Sequence, residues 1–327
     1  MPAAANALDL EGLIRPGCLK GPRAARNSAV LARRAFFVLI SGPMRLGPAA
    51  LALLCALATA GPAGALDLYR ERSSPYDLAL TGRLAGVPAG ETRYVRWSDL
   101  RALPASELTV DGEFVKGPEV LTAVFLGDLW KALPVAAGAD TFLATCGDGY
   151  ASVFTLDFIS RYRPFLVLEI DGKGPKDWPP KGLDFNPGPY VVTVSAGVSP
   201  AVAGFRDVEH KKPWAITTLE VASYAERFSG AYSGKWASLS APARDGREIW
   251  VNSCASCHQG PAGVFGGTKA ARPFQVIAAY AGYDRTYFMK YVRDPKSLVP
   301  CAKMEPHPHY TDADLSGLIA FITAGTE

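Results

Sequence analysis

Short apolar runs interrupted by turn-forming residues fill the chain over residues 66–233. Residues 92–97 alternate between polar and apolar side chains, which predicts a strand, and Ser98 is placed to cap a short helix over residues 99–103. Further strands are predicted at residues 108–114, 120–125, 141–145, 151–155, 165–170, 190–195 and 214–221, and helices at residues 126–133 and 156–161. We therefore expect an α+β domain dominated by sheet.

A helical pattern replaces the alternating one in the last part of the chain. Residues 246–251 form a short amphipathic run, and Thr311 with Asp314 predicts a capped helix start. The apolar residues behind that cap recur at helical spacing, at Leu315, Leu318, Ile319 and Ile322. The predicted order is the α+β domain, a linker rich in small residues and a helical domain, at residues 66–233, 234–242 and 243–327.

The first 65 residues are typical of a targeting sequence. A basic start at Met44 precedes an apolar stretch of about 13 residues, which is shorter than the roughly 18 of a membrane-spanning helix, and an A-x-A site that ends at Ala65. We expect translation to start at Met44, cleavage after Ala65, and export to the periplasm with no stable membrane span in the mature chain. An Arg-Arg pair at residues 33–34 imitates a twin-arginine signal, so a second export route stays open.

Composition and charge are those of an ordinary globular protein. The chain has 327 residues, of which 49% are hydrophobic and 20% are charged, and this length suggests two domains. The formal net charge is only +3, without a basic arm. Nucleic acid is therefore not expected as a partner.

One pentapeptide, Cys254-Ala255-Ser256-Cys257-His258, carries the chemistry of the chain. This C-x-x-C-H pattern is the attachment signature of a c-type haem, in which each thiol adds to one vinyl group and the imidazole binds the iron. The alternatives are a chance match, a dithiol redox motif and a zinc motif, although a second cysteine pair is lacking. We expect one covalently bound haem c on Cys254 and Cys257, with His258 as an iron ligand.

Around that pentapeptide, residues 243–327 resemble a class I cytochrome c domain. The resemblance rests on the amphipathic run with Gly246, where a small residue lets another helix approach, on the capped C-terminal helix, and on the segment of residues 291–304. In that family the segment ends in the sixth ligand of the iron. The resemblance therefore implies an all-α fold and Met304 as the second axial ligand.

The residues themselves also favour Met304. It lies in a loop bounded by prolines, and loops deliver ligands more often than helix interiors do. Met289 lies in a helical pattern and is expected to be a core residue. His307 and His309 are expected to be solvent-exposed, but their proximity to Met304 leaves ligation of the iron by two histidines open.

Short motifs in the α+β domain carry a weaker resemblance, at residues 97–100, 125–130, 148–150 and 212–214. In this order they resemble the molybdopterin-binding domain of the sulfite oxidase family. That family implies a cysteine ligand to molybdenum in a loop that matches residues 108–125, where this chain has no thiol. We expect Cys146 to be a buried small side chain and His210 to lie on a solvated turn. Molybdopterin is not expected, although a disulfide between Cys146 and Cys301 is compatible with an oxidising compartment.

Two protein ligands leave the iron no open position, which suits one-electron transfer. The sequence therefore predicts an exported c-type cytochrome whose α+β domain docks a redox partner. The alternatives are a molybdopterin-dependent oxidoreductase that passes electrons to its own haem domain, and a sensor from which Met304 dissociates. The excess of basic residues between Lys269 and Lys303 is compatible with an acidic partner and equally with solvated helix faces.

Overall fold

The computed structural model describes residues 66–111, 113–114, 117–263, 265–270 and 272–325. The expected start at Met44 and cleavage after Ala65 lie outside these residues. The strands within them are β1 (Leu78–Gly82), β2 (Arg93–Val95), β3 (Ser106–Asp111), β4 (Pro118–Phe125), β5 (Thr141–Cys146), β6 (Ala151–Thr155), β7 (Phe165–Ile170), β8 (Val191–Thr193) and β9 (Ile216–Ala222). The α-helices are α1 (Trp97–Ala102), α2 (Leu126–Ala132), α3 (Leu156–Tyr162), α4 (Tyr224–Arg227), α5 (Ala241–Asn252), α6 (Phe274–Tyr283), α7 (Arg285–Arg293), α8 (Pro295–Leu298) and α9 (Asp312–Thr323).

The β-rich domain contains two sheets. One has five strands in the order β2-β1-β9-β5-β6, where only the β1–β9 pair is parallel, and the other has four antiparallel strands in the order β3-β4-β7-β8. Strand β5 lies inside the larger sheet and is buried along nearly its whole length. Its continuous apolar run, rather than an alternating one, follows from burial on both faces.

Most of the predicted elements of this domain are present. Strands β5, β6 and β7 agree with their predicted ranges to within one residue, and the Thr155 side chain caps α3 by accepting from the Phe158 N–H at 3.1 Å. The strand predicted at residues 92–97 is shorter, because α1 already begins at Trp97. Strand β1 was not predicted. The mixed fold class, β-rich in the N-terminal part and helical in the C-terminal part, is confirmed.

The helical domain is built on the crossing of α5 and α9. Ser240 caps α5, and Thr311 with Asp314 forms the predicted capping box of α9. At the crossing, a Cβ added to Gly246 would lie 2.0 Å from the carbonyl oxygen of Gly317, so the two backbones are in direct contact. The expectation that a small residue in this run admits another helix is confirmed.

The two domains share one apolar cluster. Leu143 and Val153 of the larger sheet belong to the same buried cluster as Ile249 and Trp250 of α5. The predicted linker packs against the helical domain, since the Trp236 indole N–H donates to the Phe321 carbonyl at 3.2 Å. Within the described residues, no helix combines the length and apolarity that crossing a membrane requires.

Candidate haem-binding site

The C-x-x-C-H pentapeptide forms one tight turn at the end of α5. Residues Cys254–Ser256 make a single 3₁₀ turn, in which the Cys254 carbonyl accepts from the N–H of Cys257 at 3.1 Å and of His258 at 2.9 Å. Both thiols are free and half-buried, and the imidazole of His258 is half-buried as well. One backbone turn therefore holds the two thiols and the imidazole on a short, fixed segment.

An aromatic cluster surrounds this turn. The ring centroid of Trp250 lies 6.2 Å from that of His258 and 4.9 Å from that of Phe274. Cys254 and Met304 pack against the same buried cluster, which brings a predicted attachment residue and the predicted sixth ligand to one apolar environment. Met289 also packs there, from the interior of α7.

Burial controls the protonation of the turn. It raises the pKa of Cys254 to about 12, with a smaller contribution from the charge of Asp207. Burial also raises the pKa of Cys257 and lowers the pKa of His258, where an interaction with the Arg272 backbone opposes the shift. The imidazole is thus held in its neutral form, which is the form that binds metals. Its Nδ1 is buried and has no hydrogen-bond partner of normal geometry within the described part of the chain.

The histidines beside Met304 differ from the expectation. His309 is exposed as expected, but His307 is only 9% exposed, and burial lowers its pKa to about 4. The expectation of exposure was therefore wrong for His307. The reason is that the β-rich domain covers this loop: the ring of His307 lies 5.1 Å from that of His210.

His210 was also expected on a solvated turn, and it is half-buried instead. Its Nδ1 is 3.1 Å from the Tyr150 hydroxyl, and burial lowers its pKa to about 3. Nearby, Lys211 is 1% exposed and donates to the Val153 carbonyl at 2.8 Å and to Asn252 of α5 at 3.3 Å. These polar residues at the domain boundary were missed because burial of charged side chains in a basic turn has no sequence signal.

The turn after β5 lies directly on the attachment segment. The Thr268 N–H donates to the Gly149 carbonyl at 2.8 Å, and Lys269 forms an ion pair with Asp148 at 2.8 Å. A Cβ on Gly149 would lie 2.4 Å from the Thr268 hydroxyl, so glycine is required here both by space and by its positive φ of 85°. The β-rich domain therefore contacts the segment that follows His258.

The other two thiols within the described part of the chain, those of Cys146 and Cys301, are not paired. Cys146 is free and 4% exposed, and burial raises its pKa to about 12, whereas Cys301 is free and exposed. The expectation of a buried, small Cys146 is confirmed, and the disulfide with Cys301 is not formed. No group of three or more His, Cys, Asp or Glu side chains within the described residues is arranged to hold a metal ion.

This donor set fits a covalently bound haem. Two free thiols stand three positions apart, a neutral imidazole follows them, and a thioether lies against the same aromatic cluster. A haem bound there supplies an iron that alternates between the ferric and ferrous states. The chain's own part would be to fix the porphyrin by the thiols, to present axial ligands and to exclude water with the aromatic side chains.

One comparison with known proteins bears on the helical domain. The family model described as cytochrome c oxidase, cbb3-type, subunit III, matches residues 241–322. Among solved structures, the sulfane dehydrogenase SoxCD from Paracoccus pantotrophus is similar with 14% identity and a TM-score of 0.31, over 49% of this chain and 43% of that chain. No curated protein matches the sequence. Residues 241–322 are thus a cytochrome c domain, which implies a covalently bound haem c and electron transfer through it.

Proposed function

We propose that the protein is an exported electron carrier of class I type, in which Cys254 and Cys257 hold haem c and His258 and Met304 are the axial ligands. The carrying observation is the turn at the end of α5, which presents both thiols and the imidazole beside the cluster that also contacts Met304. With both axial positions filled by side chains, substrate has no place on the iron. One-electron transfer is the reaction that such a site supports.

The attachment roles are tested by substitution. Cys254→Ser and Cys257→Ser each leave a single thioether bond, whereas Cys301→Ser is a matched control because Cys301 is exposed and lies outside the motif. The absorption maximum of the pyridine haemochrome reports how many vinyl groups have reacted. A shift in both motif variants and none in the control is expected, and an unshifted maximum in either motif variant would refute its role.

The β-rich domain serves as the docking module for a redox partner. Support comes from its firm attachment to the haem domain through Asp148–Lys269 and Gly149–Thr268, since a partner bound to it is held at a fixed distance from the attachment segment. Fixed positioning is what efficient electron transfer between proteins requires. The short sequence motifs of this domain resemble those of a molybdopterin-binding domain, and the metal content of the protein decides whether the domain binds that cofactor.

Metal analysis of the purified, haem-loaded protein is the direct test. About one iron and no molybdenum per chain is the result expected for an electron carrier with one haem. Stoichiometric molybdenum would overturn the proposal in favour of an oxidoreductase that passes electrons from a molybdopterin to its own haem.

The surface of α6 and α7 supports the electrostatic steering of an acidic partner towards the haem domain, a role separate from docking on the β-rich domain. Large apolar side chains are exposed there at Val276, Tyr280, Tyr283 and Tyr287. Exposed basic residues of the same region are Arg272, Arg285, Lys290 and Lys296. The carboxylates of Asp284 and Asp294 are engaged as caps of α7 and α8. Exposed apolar side chains together with exposed basic residues match a partner surface of opposite charge.

Charge reversal tests this surface. The triple variant Arg272→Glu, Arg285→Glu, Lys290→Glu is compared with Lys173→Glu, Lys176→Glu, Lys181→Glu, which makes the same charge change on the exposed surface of the β-rich domain. Electron transfer from a reduced acidic flavoprotein is followed by flash photolysis at several ionic strengths. The α6–α7 variant is expected to lose most of its electron-transfer rate and the dependence of that rate on salt. Equal losses in both variants would contradict the assignment of the α6–α7 surface to the acidic partner.

Export is proposed from the presequence. N-terminal sequencing of the haem-loaded protein from a periplasmic fraction is expected to start at Leu66, after cleavage at Ala65. Recovery of the haem protein with residues 44–65 intact would contradict cleavage there.

A further inference from the structure

The loop that carries Met304, between α8 and α9, is anchored partly by its own domain and partly by the β-rich domain. On the helical side, the His307 N–H donates to the Val292 carbonyl at 3.0 Å, and Arg293 donates to the Tyr310 carbonyl at 2.9 Å. On the β-rich side, the Tyr310 hydroxyl donates to the carboxylate of Asp207. Residues of both domains therefore hold the C-terminal part of the loop in place.

Asp207 and Tyr310 form a buried pair. Asp207 is 5% exposed and Tyr310 is 2% exposed. A buried carboxylate needs hydrogen-bond donors to offset the loss of water, and the Tyr310 hydroxyl is one. Because the acceptor is charged, this hydrogen bond is among the stronger kinds that proteins form.

Neighbouring contacts extend the same anchor. Arg206 donates to Asp314, the capping-box residue of α9, at 2.6 Å, and its guanidinium lies 5.3 Å from the centre of the Tyr310 ring. The ring of His210 lies 5.1 Å from the ring of His307. Three residues close together on the β-rich domain thus hold the C-terminal half of the loop and the start of α9.

We propose that Asp207 is a positioning residue for the sixth haem ligand, so that the β-rich domain clamps the Met304 loop through Asp207 and Tyr310. This inference rests on the proposed role of Met304 as an iron ligand. In a class I domain without such a neighbour, the loop is held by its own domain alone. Here, the second domain determines how readily the thioether leaves the iron.

The clamp predicts a specific change when it is weakened. The loop opens more often, so an external ligand such as carbon monoxide reaches the ferrous iron faster. Loss of a hydrogen bond to a buried charged acceptor corresponds to about a 10- to 100-fold larger open population. Carbon monoxide association is expected to accelerate by that factor, and the reduction potential to fall as the thioether contribution is lost.

The experiment uses the complete haem-loaded protein with the substitutions Asp207→Ala, Asp207→Asn and Tyr310→Phe. Asparagine retains an oxygen that can accept from Tyr310, so this variant is expected to lie between wild type and Asp207→Ala. The matched control is Tyr190→Phe, which removes another buried tyrosine hydroxyl, one that donates to the Tyr76 carbonyl within the β-rich domain. Readouts are carbon monoxide kinetics, reduction potential and the weak far-red band of a ferric iron with a thioether ligand.

The outcomes separate this inference from the proposed function. Faster carbon monoxide binding and a weaker far-red band in Asp207→Ala and Tyr310→Phe, without further change when these two substitutions are combined in one protein, support the clamp. A wild-type protein that shows the band while these variants behave like Tyr190→Phe overturns the clamp alone. A wild-type protein without the band overturns the assignment of Met304 and the clamp with it.

Discussion

Substitution of Gly246 by alanine is the sharpest test of how the haem domain is held together. Gly246 lies where α5 crosses α9, and α5 leads directly into the attachment turn. An alanine Cβ there would lie 2.0 Å from the Gly317 carbonyl oxygen and 2.4 Å from the Leu318 nitrogen. All of these neighbours are backbone atoms of a helix, so no side chain can turn aside to relieve the overlap.

The size of the effect follows from these distances. Carbon–oxygen contacts are normally no shorter than about 3.3 Å, so the helices must separate locally by about 1.3 Å. Such a shift loosens the packing of Trp250 and Phe321 on either side of the crossing. Overpacking against backbone costs about 3 kcal/mol, and the better helix propensity of alanine returns about 1 kcal/mol. We expect the free energy of unfolding of the haem domain to fall by about 2 kcal/mol.

Urea unfolding of the haem-loaded protein, followed by haem absorbance, measures this change. The matched control is Gly282→Ala in α6, where an added Cβ meets only the Thr323 methyl at 3.7 Å. Gly282→Ala removes the flexibility of a glycine without a steric overlap, and we expect it to raise the free energy of unfolding by roughly 0.5–1 kcal/mol. A Gly246→Ala protein as stable as wild type would refute the close crossing.

Three further outcomes are expected. Burial lowers the pKa of Lys211 to about 7, from about 10.4 in an unfolded chain. Between these two pH values the unfolded state binds more protons than the folded state, so the free energy of unfolding rises with pH. Urea titrations at pH 7 and pH 9 should show a smaller difference in the free energy of unfolding for Lys211→Met than for wild type. An unchanged difference would contradict the burial of the Lys211 amine. Met304→Ala should abolish the far-red thioether band while Met289→Leu, a change of similar volume, preserves it, and the reverse result would identify Met289 as the ligand. Iodoacetamide should label exposed Cys301 in the native protein but Cys146 only after unfolding, as judged by mass spectrometry.

Sequence reasoning was most successful where local chemistry decides the structure. The capping box of Thr311 and Asp314 and the small residue at Gly246 are local signals, and both are present as predicted. Strand β1 was missed because it is short and sits beside β9, a partner more than 100 residues away in the chain. Its pairing with β9 is parallel, and its antiparallel pairing with β2 is made across a long connection, so no tight hairpin turn marks it.

The site was predictable only as far as its own motif. The pentapeptide from Cys254 to His258 is contiguous, so its chemistry can be read without a fold. By contrast, His307 was expected in solvent, and only the arrangement of the two domains buries it. Burial across a domain boundary depends on long-range packing that a linear pattern does not encode.

The polar groups at that boundary determine how the domains fit together. Asp207 and Lys211 are both almost fully buried, one paired with Tyr310 and the other with Asn252 and the Val153 carbonyl. An apolar interface would tolerate small shifts of one domain against the other. A shift at this interface would leave a carboxylate or an amine buried without its partner. Both groups lie within five residues on the β-rich domain, and their partners lie on either side of the haem-attachment turn, in α5 and in the Met304 loop. The same contacts that fix the domain arrangement therefore also fix the two segments that supply the proposed axial ligands.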